Sequence, residues 1–203
     1  MKTSPPPTRW RSRRWPGDST GIEVVLGAVT AARLPTGPRH GDLTVCQDPD
    51  MDAADLVTYR ELEELKYRYT RALDHKDWEL FASCFTDDAT ASYGGRLEFS
   101  GPDQIVAYMK ENLGPNMITV HQVHHPEFTV DGDEATGTWS LMDRVIMTDY
   151  RLLLDGASTY QDRYRRGADG TWRIAHTGYE RIYEQMISFD DVPSFNLTAN
   201  KFA

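Results

Sequence analysis

The sequence predicts an α+β domain in which a curved antiparallel sheet wraps around N-terminal helices, and three observations predict it. Apolar residues recur at helical spacing between residues 56 and 113, the pattern changes to strands from Ile118 onward, and Asp131-Gly132, Asp155-Gly156 and Asp169-Gly170 punctuate those strands as short turns. Helices that precede a set of long, turn-linked strands must bury their apolar faces, and the concave side of the antiparallel sheet is where they do so.

The first helix is expected over residues 56–75, where Leu62, Leu65, Tyr69, Ala72 and Leu73 form one stripe and Glu61, Glu64, Arg68 and Arg71 lie largely off it. Tyr69 therefore points inward. After the polar break His75-Lys76-Asp77, the run Trp78, Leu80, Phe81, Cys84, Phe85 predicts a short second helix ending near Asp87-Asp88. A third follows Ser100-Gly101: Pro102 takes an early helical position where its missing N–H costs nothing, and Ile105, Val106, Tyr108, Met109 and Leu113 supply an apolar face that Gly114-Pro115 closes. Four strands, rich in Val, Thr, Tyr and Trp, are expected at about 118–130, 134–149, 152–166 and 171–183.

A chain of 203 residues fits one domain plus a tail. It holds 22 Lys and Arg against 31 Asp and Glu; residues 1–50 contain seven of the former and five of the latter, so residues 51–203 carry a formal charge of −11. That sign opposes binding to phosphate, which argues against nucleic acid, and gives no attraction to an anionic membrane surface. A neutral or weakly polar small molecule is the expected ligand. No uninterrupted apolar run approaches the ~20 residues a membrane-spanning helix needs. Cys46 and Cys84 show neither a C-x-x-C spacing nor a disulfide framework, so Cys84 is expected as a buried thiol in a reducing, cytoplasmic setting.

Residues 1–50 hold seven of the eleven prolines, with Arg9, Arg11, Arg13 and Arg14 crowded beside Pro5, Pro6 and Pro7. This composition predicts a disordered extension or an upstream, mis-assigned start, with Met51 directly before the first helical pattern. The alternative is an export signal built on Ser12-Arg13-Arg14-Trp15, but Pro16, Gly17 and Asp18 interrupt it and Glu23 and Arg33 charge the apolar stretch that follows. The domain proper is expected over residues 51–185. Residues 186–203 are a C-terminal tail whose Met186, Ile187, Phe189, Phe195 and Leu197 suit a flap over a pocket or a subunit contact.

Four groups of residues carry a family signature: Leu65-Lys66-Tyr67-Arg68-Tyr69 with Leu73-Asp74; Asp77-Trp78 with Cys84-Phe85-Thr86-Asp87-Asp88-Ala89; His121 to Phe128; and Asp169-Gly170-Thr171-Trp172-Arg173-Ile174. Together, over about residues 56–185, they resemble the SnoaL-like branch of the nuclear-transport-factor-2-like superfamily. The resemblance implies a cone-shaped fold enclosing a pocket, a homo-oligomer (trimer or dimer), and no cofactor. Within the superfamily the sequence is most similar to the bile-acid 7α-dehydratases and more distantly to the scytalone dehydratases. Tyr69, Asp74, His121, Asp143 and Arg181 fall where the pocket residues of the former would lie. Fold by itself does not choose between dehydratase, isomerase, polyketide cyclase and non-catalytic members.

The chemistry implied is loss of water from a hydroxylated cyclic ketone of steroid or polyketide type, a small, hydrophobic, oxygenated substrate. It needs a base for the acidic C–H, a donor for the enolate oxygen and a proton for the departing hydroxyl. His121 can serve at both ends because imidazole titrates near working pH. Asp74 would accept from its other ring nitrogen and fix the tautomer, and Tyr69 would donate to the carbonyl. About 140° of helical rotation separates Tyr69 from Asp74, so the helix must end near Asp74 for both to reach one cavity. Asp143 shares a strand face with Trp139, Leu141 and Val145, and Arg181 is its natural ion-pair partner, which would make the two supporting and structural. A ketosteroid-isomerase-like reading would instead have Asp143 or Asp74 shuttle the proton, as in the ketosteroid isomerase with its carboxylate base and tyrosine donor. A binding module of the same fold would leave His121 and Asp74 incidental. No metal set has suitable spacing: His124 and His125 are adjacent, and on a strand they point to opposite faces.

Overall fold

A computed structural model describes residues 53–202. The readings of residues 1–50 and of Met51 lie outside the described residues. Helices α1 (Ala53–His75) and α2 (Trp78–Ser83) are followed by strands β1 (Phe85–Tyr93) and β2 (Leu97–Ser100), helix α3 (Pro102–Asn112), and then β3 (Met117–Asp131), β4 (Glu134–Met147), β5 (Leu152–Arg166) and β6 (Trp172–Ser188). The strands form one curved sheet in the order β2-β1-β6-β5-β4-β3. Every neighbouring pair is antiparallel except β1 and β6, which run parallel.

The expected α+β architecture and the four long strands are present, and three details differ. Asp155-Gly156, expected as a turn, lies inside β5 paired with Arg144 and Asp143, and the β4–β5 turn falls at residues 148–151. The second helix stops at Ser83 rather than near Asp87-Asp88, because the Cys84 carbonyl accepts from the Ile174 amide at 2.8 Å and Phe85 pairs with Ile174, drawing the chain into the sheet. Residues 85–93, which look helical or polar locally, thus become β1. Their inward side chains Phe85, Ala89, Ala91 and Tyr93 are buried. The last strand runs on to Ser188, held by pairing with β5 as far as Leu152.

Helix α1 buries Leu62, Leu65, Tyr69, Ala72 and Leu73 on the concave face of the sheet. Its end is sharply made. Asp77 N–H donates to the Ala72 carbonyl at 2.9 Å and Lys76 N–H to the Leu73 carbonyl at 3.1 Å, with Lys76 at φ 60°, a Schellman arrangement in which lysine stands where glycine is usual. The helix therefore ends at His75, one residue beyond Asp74.

Under α1 lies a buried polar group that local sequence did not announce. Lys66 Nζ sits 2.7 Å from Asp162 Oδ2 with both side chains fully buried, and it lies 3.5 Å from the centroid of the Tyr160 ring. Asp162 also accepts from Thr177 Oγ1 at 2.7 Å and from the Tyr164 hydroxyl at 2.8 Å. Burial lowers the Lys66 pKa, opposed by the Asp162 carboxylate, and a buried charge is tolerable only with partners of this kind.

Candidate active site

The end of α1 and the edge strand β3 bring together two of the residues singled out from sequence. His121 Nδ1 lies 2.6 Å from Asp74 Oδ1, and the His121 backbone N–H donates to Asp74 Oδ2 at 2.8 Å. Thr119 Oγ1 donates to Asp74 Oδ1 at 2.9 Å. A carboxylate that accepts at Nδ1 requires the proton to sit there, which leaves Nε2 of a neutral imidazole as a free lone pair. Both side chains are only slightly exposed, 13% for His121 and 17% for Asp74, so water reaches the pair without flooding it.

Asp143 stands directly opposite His121 in the β3–β4 ladder. Its carboxylate is committed elsewhere: Arg181 Nη2 donates to it at 3.0 Å and Nη1 at 2.5 Å, while Arg181 Nε faces Glu184 at 3.2 Å. The ion pair foreseen as the supporting reading is formed. Tyr69 is placed apart from the dyad. It is fully buried, its hydroxyl pairs with that of Tyr93 at 3.2 Å, and its ring packs on Phe81 and Phe85. Burial holds its phenol well above the usual range.

Two openings flank this row. A groove of about 590 Å³ between α1 and β3 is lined by Tyr67, Arg71, Asp74, His75, His121 and His124, among others. At the mouth of the sheet a chamber of about 630 Å³ is lined by Tyr108, Met109, Met117, Val145, Leu154 and Tyr179, among others. Val145 pairs with Thr119, one step along the same concave face from the His121–Asp143 pair, and Met147 pairs with Met117 one step further. The chamber thus begins one step along the strand from the dyad, while His121 and Asp74 themselves line the groove. A smaller cavity of about 350 Å³ between Asp88, Glu134 and Arg165 contains no member of this group.

Three contributors were not read from sequence. Thr119 precedes His121 by two on its strand, so alternation could have flagged it. Tyr179 precedes Arg181 by two on β6; its ring stacks on Tyr93 with centroids 5.6 Å apart and lies under the Arg181 guanidinium at 5.0 Å. Gly156 carries no sequence signal beyond its turn-like Asp155 neighbour. Among the described residues no three His, Cys, Asp or Glu side chains are grouped to hold a metal ion, and no helix is long and apolar enough to cross a membrane.

The SnoaL-like domain family matches residues 54–178, well over half of the chain. The chain belongs to that family. Solved structures share the fold of this SnoaL-like domain. A scytalone-dehydratase-like protein from Novosphingobium aromaticivorans superposes with a TM-score of 0.62 at 19% identity, covering 74% of this chain and 95% of that one. A hexachlorocyclohexane dehydrochlorinase from Novosphingobium barchaimii gives 0.62 at 16% identity, covering 71% and 96%. A protein of unknown function from Mycobacterium tuberculosis gives 0.58 at 23% identity, covering 75% and 88%. These similarities establish the nuclear-transport-factor-2-like cone.

Proposed function

We propose that this SnoaL-like domain is a cofactor-independent dehydratase acting on a hydroxylated cyclic ketone by general acid–base catalysis. One observation carries the reading: the 2.6 Å contact of His121 Nδ1 with an Asp74 carboxylate that is itself held by two further hydrogen bonds. An incidental surface histidine would have no reason to be fixed so completely. Two of the structural relatives bear names of eliminations, loss of water in one and of hydrogen chloride in the other, which supports an elimination here.

In this mechanism His121 Nε2 takes the proton from the carbon next to the carbonyl, or its vinylogue. The C–H electron pair passes into the enolate, the C–O bond to the hydroxyl breaks as the enolate collapses, and the imidazolium returns its proton to the departing oxygen as water. Asp74 stabilises the imidazolium while it exists. Tyr179, on the chamber wall, donates to the carbonyl oxygen. Tyr69 acts from behind, its hydroxyl on Tyr93 and the Tyr93 ring against Tyr179, as a positioning residue. Asp143 and Arg181 support the floor. A homo-oligomer, dimer or trimer, and a cytoplasmic location complete the reading, and light scattering and cell fractionation test them.

The decisive experiment follows water loss from a panel of hydroxylated steroid and polyketide ketones. His121→Ala should lose about 10²–10⁴-fold in kcat with ligand affinity kept. Asp74→Asn should also slow the reaction, and the double variant should be scarcely worse than His121→Ala, since an orienting group then has nothing to orient. Full activity in a folded His121→Ala protein would remove this mechanism and put an isomerase with a carboxylate base ahead.

A further inference from the structure

We propose that Lys76 is a positioning residue for the Asp74–His121 pair, holding the start of β3 against the last turn of α1 so that carboxylate and imidazole meet at a fixed distance. Its consequence for catalysis rests on the site reading above; the contact itself can be tested without turnover.

Lys76 occupies a position that its backbone does not favour. Helix α1 ends at His75, and Lys76 takes the left-handed turn that closes it, at φ 60°. An L side chain in that conformation crowds the following carbonyl oxygen, which is why glycine is the usual occupant. The turn alone therefore does not account for a lysine here. Its side chain does: Nζ crosses to β3 and donates to the Met117 carbonyl at 2.8 Å.

Met117 is the place where such a bond positions the dyad. β3 is the outermost strand on one side of the sheet, so among the described residues one of its long sides has no strand partner. His121 N–H leaves the sheet on that side to reach Asp74 Oδ2 at 2.8 Å. Backbone groups two residues apart on a strand point the same way, so Met117, Thr119 and His121 all turn their N–H and C=O outward. The end of α1 grips this edge at both ends. Asp74 accepts from the His121 amide and ring and from Thr119 Oγ1, and Lys76 holds the Met117 carbonyl. The two anchors on β3 are four residues apart, roughly 13 Å at a rise of about 3.3 Å per residue. One anchor would let an unpaired edge pivot about Asp74; two fix its slope as well as its distance.

The charge of Lys76 works in the same direction. Burial lowers its pKa, the Asp74 carboxylate opposes this, and Lys201 adds to the lowering, so the ammonium lies in the field of the carboxylate it helps to place. The Phe202 ring, with its centroid 4.7 Å from Nζ, lies beside it as a further partner for the cation.

Amide hydrogen exchange, followed by NMR in the full chain, reads the contact directly in Lys76→Gly, Lys76→Met and Lys76→Arg. Glycine suits the turn, so Lys76→Gly should keep the fold; Lys76→Met keeps the backbone cost and loses only the donor and the charge. In both, the His121 amide should exchange at least about tenfold faster, while Val120 and Gln122, whose amides alternation directs toward β4, keep their rates. Lys76→Arg retains a cationic donor and should hold the His121 amide within about threefold of the native rate. On the panel ketone that turns over best, kcat should fall about tenfold in the glycine and methionine variants, with KM little changed, and recover in Lys76→Arg. Unchanged exchange at His121 in Lys76→Gly, acceleration shared equally by Val120 and Gln122, failure of arginine to restore either readout, or an unaffected kcat each overturns the proposal. No elimination from any panel ketone would sink the dehydratase, and hydrogen exchange alone would then decide the role of Lys76.

Discussion

Gly156 faces Asp143 across the β4–β5 ladder, and the space its missing side chain leaves is filled by the Arg181 guanidinium. A Cβ at this position would collide with Arg181 Nη1 and stand 3.0 Å from Asp143 Oδ1. Gly156→Ala should push the guanidinium aside and leave Asp143, 5% exposed, without its counter-charge. Arg181 is about a quarter exposed, so solvent recovers part of the loss and the cost should be about 1–2 kcal/mol. Urea denaturation checks it; an unchanged midpoint would mean that the pair is not strained by the added methyl.

Thr119 is buried at 4% exposure, and its hydroxyl shares Asp74 Oδ1 with the imidazole. Thr119→Val keeps the shape and loses the donor. On the panel ketone that turns over best, kcat should fall about tenfold, the scale of one charge-assisted hydrogen bond, while KM moves little. Thr119→Ser should restore the rate. A fall in KM-derived affinity with kcat unchanged would instead make Thr119 a packing residue.

The C-terminal residues lie along the rim of the chamber. Phe189 N–H donates to the Arg151 carbonyl at 2.9 Å, the Phe189 and Phe195 rings stack with centroids 4.4 Å apart, Asn200 Nδ2 donates to the Pro115 carbonyl at 3.2 Å, and Lys76 Nζ lies 4.7 Å from the centroid of the Phe202 ring. We predict that they act as a flap. Truncation after Ser188 should weaken binding of the panel ketone that turns over best about tenfold, ~1.4 kcal/mol, with the thermal midpoint nearly unchanged. Unaltered affinity together with loss of an oligomer would assign the segment to a subunit contact.

His176 gives the fold a pH dependence. Its Nδ1 lies 2.7 Å from Thr90 Oγ1, and burial, followed by the Arg163 charge, lowers its pKa below 6.5 against the opposing pull of Asp162 and Glu98. Because the folded value is depressed, the unfolded chain binds the proton more readily. This contribution to stability is complete above 6.5 and is lost as pH falls through the folded value. The urea midpoint should decline below pH 6.5 less steeply in His176→Gln than in the native chain.

Cys84 is fully buried, and burial pushes its thiol up to about 11. Peptide-resolved alkylation near neutral pH should leave Cys84 unmodified in the folded protein and label it after denaturation. Rapid labelling of the native protein would show that the α2–β1 junction opens.

How far the sequence reached depended on whether a signal was local. The stripe Leu62, Leu65, Tyr69, Leu73 and the alternation along residues 118–166 are local periodicities, imposed by the burial of one face, and they determined α1, β3, β4 and β5 without help from the rest of the chain. Residues 85–93 had no such signal. The segment is strand only because β6, some ninety residues away, offers a parallel edge, and pairing outweighs the helical lead-in of Trp78 to Phe85. The residue types of the candidate dyad were readable, but Asp74 and His121 are 47 residues apart, and only the curl of the sheet against the end of α1 brings them within 2.6 Å. Tyr69 shows the same division. Its stripe placed it inward, and the packing of Phe81, Phe85 and Tyr93 decided that inward meant the core and not the cavity wall, which fell to Tyr179. Periodicity fixes which face of an element is buried; what that face meets is set by elements distant in the chain.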